Sequence, residues 1–241
     1  MTNVAIDIQN VTVRYHESVV LDGATAQVPR GVICGLIGMN GAGKSTLFKA
    51  ITSSVPLDKG SVTLFDLPVT KAQKAGLVAY VPQTEAIDWS FPVSVWDAVM
   101  MGRYGFMNFL RIPKEKDYRA VEKALKKVGM AEYADRQVGQ LSGGQKKRVF
   151  VARALAQEAS ILLLDEPFAG VDARTEASLI KLLKSLQKQG ITTLIAAHDL
   201  NTVDSYCDYM IMLRGSVIAS GPTKKVFTKK NIARTYDGKV K

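Results

Sequence analysis

The chain has 241 residues and a mass of 26.2 kDa, with 47% apolar and 22% charged residues. That composition excludes a disordered chain and predicts one or two compact units whose core needs no disulfide or metal staple. The formal charge is +10, and all of it falls after residue 104. The segment from Pro222 to Lys241 alone holds 7 basic residues against one acid, Asp237. Such a tail suits a solvated terminal helix, or contact with nucleic acid or an anionic membrane surface. Its only aromatics are Phe227 and Tyr236, so a platform for stacking bases is not indicated. The longest apolar runs, such as Ile161 to Leu164, fall far short of the roughly 18–20 residues that cross a bilayer. The N-terminus lacks a basic n-region and carries Asp7 where an apolar stretch would be needed, so no secretory signal is expected. Cys34 and Cys207 have no C-x-x-C spacing and suit a reducing, cytoplasmic compartment.

In chain order, the first 37 residues alternate. Val4, Ile6 and Ile8, then Val11, Val13 and Tyr15, then Ala24, Ala26 and Val28 read as strands with one buried face. Val32 to Ile37 is instead a continuous apolar run, a buried strand that ends in a Gly-rich turn and feeds a helix. Leu77 to Val81, Ile161 to Leu164 and Thr193 to Ala197 repeat that type, which predicts a parallel sheet. Between about Trp89 and Glu158 the strand signal disappears. Val95, Val99 and Met100, then Val121, Leu125 and Val128, then Val149, Ala152 and Leu155 recur at helical spacing. After this helical insertion, Leu179, Leu182, Leu183 and Leu186 mark an amphipathic helix ending at Gly190. Met210 to Leu213 and Val217-Ile218, joined at Arg214-Gly215, read as a hairpin.

Three motifs carry chemistry. Gly38-Met39-Asn40-Gly41-Ala42-Gly43-Lys44-Ser45 matches G-x-x-x-x-G-K-[ST] in full, between a buried strand and a helix. Its backbone N–H groups and helix N-terminus suit a phosphate chain, Lys44 reaches the β- and γ-phosphates, and the Ser45 hydroxyl suits Mg²⁺. Ile161 to Glu166 ends a buried strand with two carboxylates, where α/β sheets place ligands. Asp165 there would hold Mg²⁺ through water, and Glu166 would orient or deprotonate an attacking water. Leu141-Ser142-Gly143-Gly144-Gln145 places an N-cap serine and two glycines at a second helix start, again open to an anion.

With these three elements in one chain, the sequence resembles the nucleotide-binding subunit of ABC transporters over nearly its whole length. The resemblance implies an α/β fold: a P-loop NTPase (RecA-like) core with an N-terminal antiparallel β subdomain and a helical insertion. Residues of about 1–88 and 159–241 would form the core and β subdomain, and about 89–158 the helical subdomain that carries the signature. It makes Gly38 to Thr46 the Walker A loop, with Gly38, Asn40, Gly41, Ala42, Gly43, Lys44, Ser45 and Thr46 on ATP. Ile161 to Glu166 becomes the Walker B strand, and Leu141, Ser142, Gly143, Gly144 and Gln145 the signature that meets the ATP of a partner chain. Gln83 matches the Q-loop glutamine, which with Ser45 and Asp165 serves Mg²⁺. His198 matches the switch histidine, so that Glu166, His198, Lys44 and Gln83 form the catalytic set. Tyr15 matches the aromatic that stacks on adenine. Ala169-Gly170-Val171-Asp172 falls at the D-loop but departs from the usual S-A-L-D, so only Asp172 carries over.

The same resemblance implies a head-to-tail homodimer with each ATP between the loop of one copy and Ser142 to Gly144 of the other. An integral-membrane permease would dock near Gln83 and residues 89–105, where Trp89, Phe91, Pro92, Trp96, Met100 and Met101 either supply adaptable side chains to it or, Met100 and above all Trp96, pack the insertion's own core. The runs Val81 to Val93 and Met100 to Gly105 look like the ATPases of bacterial metal-ion importers of the manganese/zinc/iron group, with manganese favoured over zinc and over iron–siderophore or cobalamin uptake. The only histidines are His16 and His198, and they form no ligand cluster with the cysteines. Ion choice would therefore belong to the other subunits, including an extracytoplasmic metal-binding protein, and the chain would sit at the cytoplasmic face of the membrane. A soluble ABC-type motor working on DNA or ribosomes is the alternative from another class. Only about 95 residues separate the Walker A loop from the signature, too few for the long coiled coils of DNA-repair relatives, so no nucleic-acid partner is expected.

Overall fold

The computed structural model describes residues 3–83, 92–197 and 200–236. The chain opens with two long antiparallel strands, β1 (Val4–Tyr15) and β2 (Ser18–Pro29). The alternation read as three segments is thus two strands, each with its parity reset once. In β1 the buried positions pass from even numbers (Ile6, Ile8) to odd ones (Val11, Val13) across Asn10, which adopts φ 51 where the register shifts. In β2 the matching reset is Gly23, φ 59, whose N–H donates to Thr12 Oγ. An extra residue in each strand flips the following side chains to the other face, and the bulge keeps the apolar set inward.

The strand β3 (Ile33–Ile37) is followed by α1 (Lys44–Ile51), then β4 (Lys59–Leu64), β5 (Leu67–Pro68) and α2 (Val69–Lys74). The hairpin β4–β5 is not signalled in the sequence. Its turn, Phe65-Asp66, has φ 52 and 67, the left-handed pair that Asn-Gly usually fills. Arg30 holds it, with its guanidinium 4.7 Å from the Phe65 ring centroid and 3.8 Å from Asp66. The four-stranded sheet runs β2-β1-β4-β5.

The second sheet has six strands in the order β10-β9-β3-β8-β7-β6, built from β3, β6 (Val78–Val81), β7 (Ile161–Asp165), β8 (Thr192–Ala197), β9 (Tyr209–Arg214) and β10 (Ser216–Pro222). All neighbours are parallel except the hairpin β9–β10. Both faces are covered. Cys34, Leu36, Leu163 and Leu194 face the four-stranded sheet and α1, whereas Ile33, Ile37, Leu162, Leu164 and Ile195 face the opposite side. Continuous apolar runs are what two buried faces demand. Cys34 and Cys207 are buried in these opposite clusters, and burial pushes both thiols up; they are packing residues.

Between β6 and β7 lie α3 (Val95–Met100), a 3₁₀ stretch over Met101–Phe106, α4 (Glu115–Val128) and α5 (Gly143–Ala156). They share a third core, from Val95 to Ala156, closed by Leu179 of α6 (Ala173–Gln187). The helix α6 ends at Gln187, earlier than expected; Gly190, φ 84, takes the left-handed position after two further residues. Short helices α7 (Val203–Tyr206) and α8 (Thr223–Val226) precede α9 (Lys229–Tyr236), the basic terminal helix, which packs on β9. No described helix is long and apolar enough to cross a membrane.

One buried ion pair ties the insertion together. Arg103, 3% exposed, donates Nε to Asp117 Oδ1 and Nη1 to Ala156 O and Glu158 Oε2, each at 2.8–3.0 Å. Removing one member of a buried pair strands the other charge, whereas an exposed partner contributes little. Asp117→Ala is expected to lower unfolding free energy by about 3 kcal/mol and Glu158→Ala by less than about 1 kcal/mol, as read by urea denaturation.

Candidate active site

The strand β3 delivers the glycine-rich loop. Gly38 lies so close to β9 that a Cβ there would stand 2.2 Å from Leu213 O, and Gly43 adopts φ 97 against Leu21 of β2. Gly43 is also the residue before α1, which starts with no side-chain cap and no acid in its first turn. The first N–H groups of a helix have no intrahelical acceptor, so this turn presents donors and positive potential to whatever lies before it. Lys44, 6% exposed, donates Nζ to Gly38 O at 2.7 Å and Met39 O at 3.1 Å. Burial lowers the ammonium from its ordinary pKa, and Glu166 and Asp165 oppose that shift. An anion of high charge is the chemical complement of this arrangement.

A cavity of about 370 Å³ lies over the loop, lined by Val20, Asn40, Gly41, Gly43, Lys44, Ser45, Thr46, Gln83 and Glu166. Three separate strand ends meet there. Gln83 lies just past β6 and donates Nε2 to Glu166 Oε2 at 2.7 Å. Glu166 lies just past β7 and turns out of the sheet with φ 49, its N–H donating to Ala196 O at 3.1 Å. A non-glycine residue in that region is strained and persists where surrounding contacts over-determine it. Asp165, 4% exposed, sits just behind and accepts from the Tyr80 hydroxyl at 3.3 Å. Burial, then the Asp165 charge, push the Tyr80 phenol up, so it remains a donor. Hydroxyl, amide and carboxylate oxygens on the cavity wall, with the Asp165 carboxylate behind it, are hard oxygen donors, the set that fits Mg²⁺.

The signature segment is a true helix start. Ser142 caps α5 in a reciprocal box, Oγ accepting from Gln145 N–H and Gln145 Oε1 from Ser142 N–H at 2.9 Å. A Cβ on Gly143 would meet nothing within 4 Å, so that face is open. Asp172 caps α6, accepting from the N–H and hydroxyl of Thr175, and these bonds hold its carboxyl below the usual range. Neither Leu141 to Gln145 nor Asp172 lines the loop cavity of its own chain.

Other expected residues fall elsewhere. Tyr15 ends β1 at the β1–β2 turn, 37% exposed, outside the core, on the hairpin whose return strand brings Val20 to the cavity. Met100 is buried in the helical core, and Trp96 packs on that core and stacks on Tyr118 at 6.2 Å. Met101 is exposed and lines a second cavity of about 310 Å³. His198, Trp89 and Phe91 lie outside the described residues. Three contributors are not singled out from the sequence: Val20, which lines the cavity, Tyr80, and Lys147, whose Nζ donates to Gln83 O at 3.2 Å. The one sequence signal for Tyr80 is a hydroxyl within an apolar strand.

The loop glycines predict a graded response to alanine. Gly38→Ala drives a methyl group against the Leu213 carbonyl and should cost about 3 kcal/mol. Gly41→Ala enters open space at φ 82 and should cost about 1 kcal/mol, for the dihedral alone. Thermal unfolding of the two variants checks the order.

Comparison with known proteins accounts for this geometry. The ABC transporter family model matches residues 21–169. The manganese transport system ATP-binding protein MntA of Synechocystis is 50% identical, over 99% of this chain and 92% of its own. The chelated iron transport system protein YfeB of Yersinia pestis is 50% identical, over 96% of this chain and 78% of its own. Among solved structures, the ADP conformation of an ATP-binding cassette of an ABC transporter superposes with TM-score 0.86 at 27% identity, covering 99% of this chain and all of that one. The family match and these near-full-length relatives place the chain in the ABC transporter family, as an ATP-binding, ATP-hydrolysing subunit.

Proposed function

We propose that this chain is the motor of an importer for a divalent transition-metal ion, with manganese as cargo. The observation that carries the motor assignment is the convergence of Lys44, Ser45, Gln83 and Glu166 on one cavity at the sheet's edge. The cargo assignment rests on half of all residues being shared with a manganese-system ATPase over nearly the full length. The iron-system relative at equal identity makes iron the ion to test beside manganese, with zinc third.

Loop N–H groups and Lys44 bind the β- and γ-phosphates of ATP, and Tyr15 stacks on adenine. Ser45, Gln83 and Asp165 would hold Mg²⁺, which when bound offsets charge on the phosphate oxygens. Glu166 orients water in line with the γ-phosphorus and accepts its proton. The water oxygen–phosphorus bond forms, the bond to the β-phosphate oxygen breaks, and ADP and phosphate leave. His198 assists at the γ-phosphate. A second copy of the chain supplies Ser142, Gly143 and Gly144 to the far side of the nucleotide, so ATP joins two copies and hydrolysis parts them. A separate permease docks beside Gln83 and the helical insertion at the cytoplasmic face, and an extracytoplasmic binding protein delivers the ion.

Glu166→Gln should bind ATP as the parent does while turnover falls by about two to four orders of magnitude; parental turnover would reject Glu166 as the base. Lys44→Ala should weaken ATP binding roughly tenfold or more, measured by equilibrium titration. In cells that depend on this transporter, Glu166→Gln should abolish uptake of radiolabelled manganese; loss of zinc or iron uptake with manganese intact would reassign the cargo.

A further inference from the structure

We propose that Tyr80 is a positioning residue for the Mg²⁺ carboxylate, holding Asp165 in place from the wall of the groove beside β6. The inference rests on the proposed role of Asp165 toward Mg²⁺ and adds a residue to it. Tyr80 sits in β6, the last strand of the six-stranded sheet, and makes three connections. Its hydroxyl donates to Asp165 Oδ2 at 3.3 Å. Its ring packs at 5.8 Å, tilted by 58°, on Phe48, which belongs to the helix that begins with Lys44 and Ser45. It also lines the second cavity, with Gly76, Met101, Phe106 and Arg153.

A buried carboxylate must be hydrogen-bonded to stay charged at acceptable cost. The hydroxyl holds Oδ2, which restrains rotation of the Asp165 carboxylate and would leave Oδ1 to serve Mg²⁺. Partners of this kind, one bond removed from a metal, set ligand orientation and thereby affinity. Phe48 fixes the ring from the α1 side, so Asp165 and the turn that carries Ser45 are referenced to one aromatic group. Whatever fills the groove touches the same ring.

The test uses Tyr80→Phe, which keeps the ring and removes only the hydroxyl. Both Tyr80→Phe and its parent carry Glu166→Gln, so nucleotide binding is read without turnover, by titrating Mg²⁺ against a fluorescent ATP analogue. The Mg²⁺ midpoint should rise about threefold to tenfold, with binding in EDTA unchanged. Tyr80→Leu should shift the midpoint at least as far. An unmoved midpoint in Tyr80→Phe, beside a parent that responds to Mg²⁺, overturns the Tyr80 role and leaves the ATPase reading intact. Equal loss of binding with and without Mg²⁺ shows a merely structural residue and also overturns it. A parent that binds no nucleotide removes the ATPase reading and this inference together.

Discussion

The structure depends above all on the parallel register of four strands. Ile37 of β3 pairs level with Ala197 of β8, Ala196 with Asp165 of β7, and Leu164 with Val81 of β6. Four strands therefore end at one edge, each within about a residue of its neighbour, and the residues just past each end arrive at the same place. Gly38, Gln83 and Glu166 are one or two residues past their strand ends. Parallel pairing requires long crossovers, and the crossovers put helices over both faces. Ligand-binding groups then collect outside the carboxyl ends. The site arises from the sheet's hydrogen bonding more than from any local preference of the loops.

The groups at that edge are costly to keep. Lys44 and Asp165 are nearly inaccessible, Glu166 holds a left-handed backbone, and Gly38 tolerates no side chain. The first three carry a specific contact: loop carbonyls on Lys44, Tyr80 on Asp165, Gln83 on Glu166. Lys147 adds a bond from the helix behind the signature to the Gln83 carbonyl. The segment that carries the glutamine is thus hydrogen-bonded both to Glu166 at the sheet end and to Lys147 of the helical insertion.

Much of this is legible in the residues. The phosphate loop, the acidic strand end and the capped glycine pair each stand in a local context that few folds share, and the apolar runs announce the parallel sheet. What escapes has definite causes. A bulge resets strand parity, so Ile8 and Val11 can face one core from what looks like two segments. A hairpin turn made by Phe65-Asp66 lacks the usual glycine because Arg30 holds it from outside, and no local window contains that partner. Met100 and Met101 are adjacent and both apolar, yet one is core and one is surface, because successive residues point about 100° apart around a helical axis. Tyr80 shows its use only once a strand 85 residues away is folded beside it.

Helix α5 spans 14 residues, about 21 Å at 1.5 Å per residue. Its far end is pinned where Gln157 Nε2 donates to Val78 O on β6 at 2.8 Å, and its near end carries Ser142. Such a helix is a lever with its fulcrum at the sheet. A tilt of about 10° about that fulcrum swings Ser142 by roughly 3–4 Å, the whole length of a hydrogen bond. The placement of Ser142 is therefore sensitive to how firmly α5 is held at its other end.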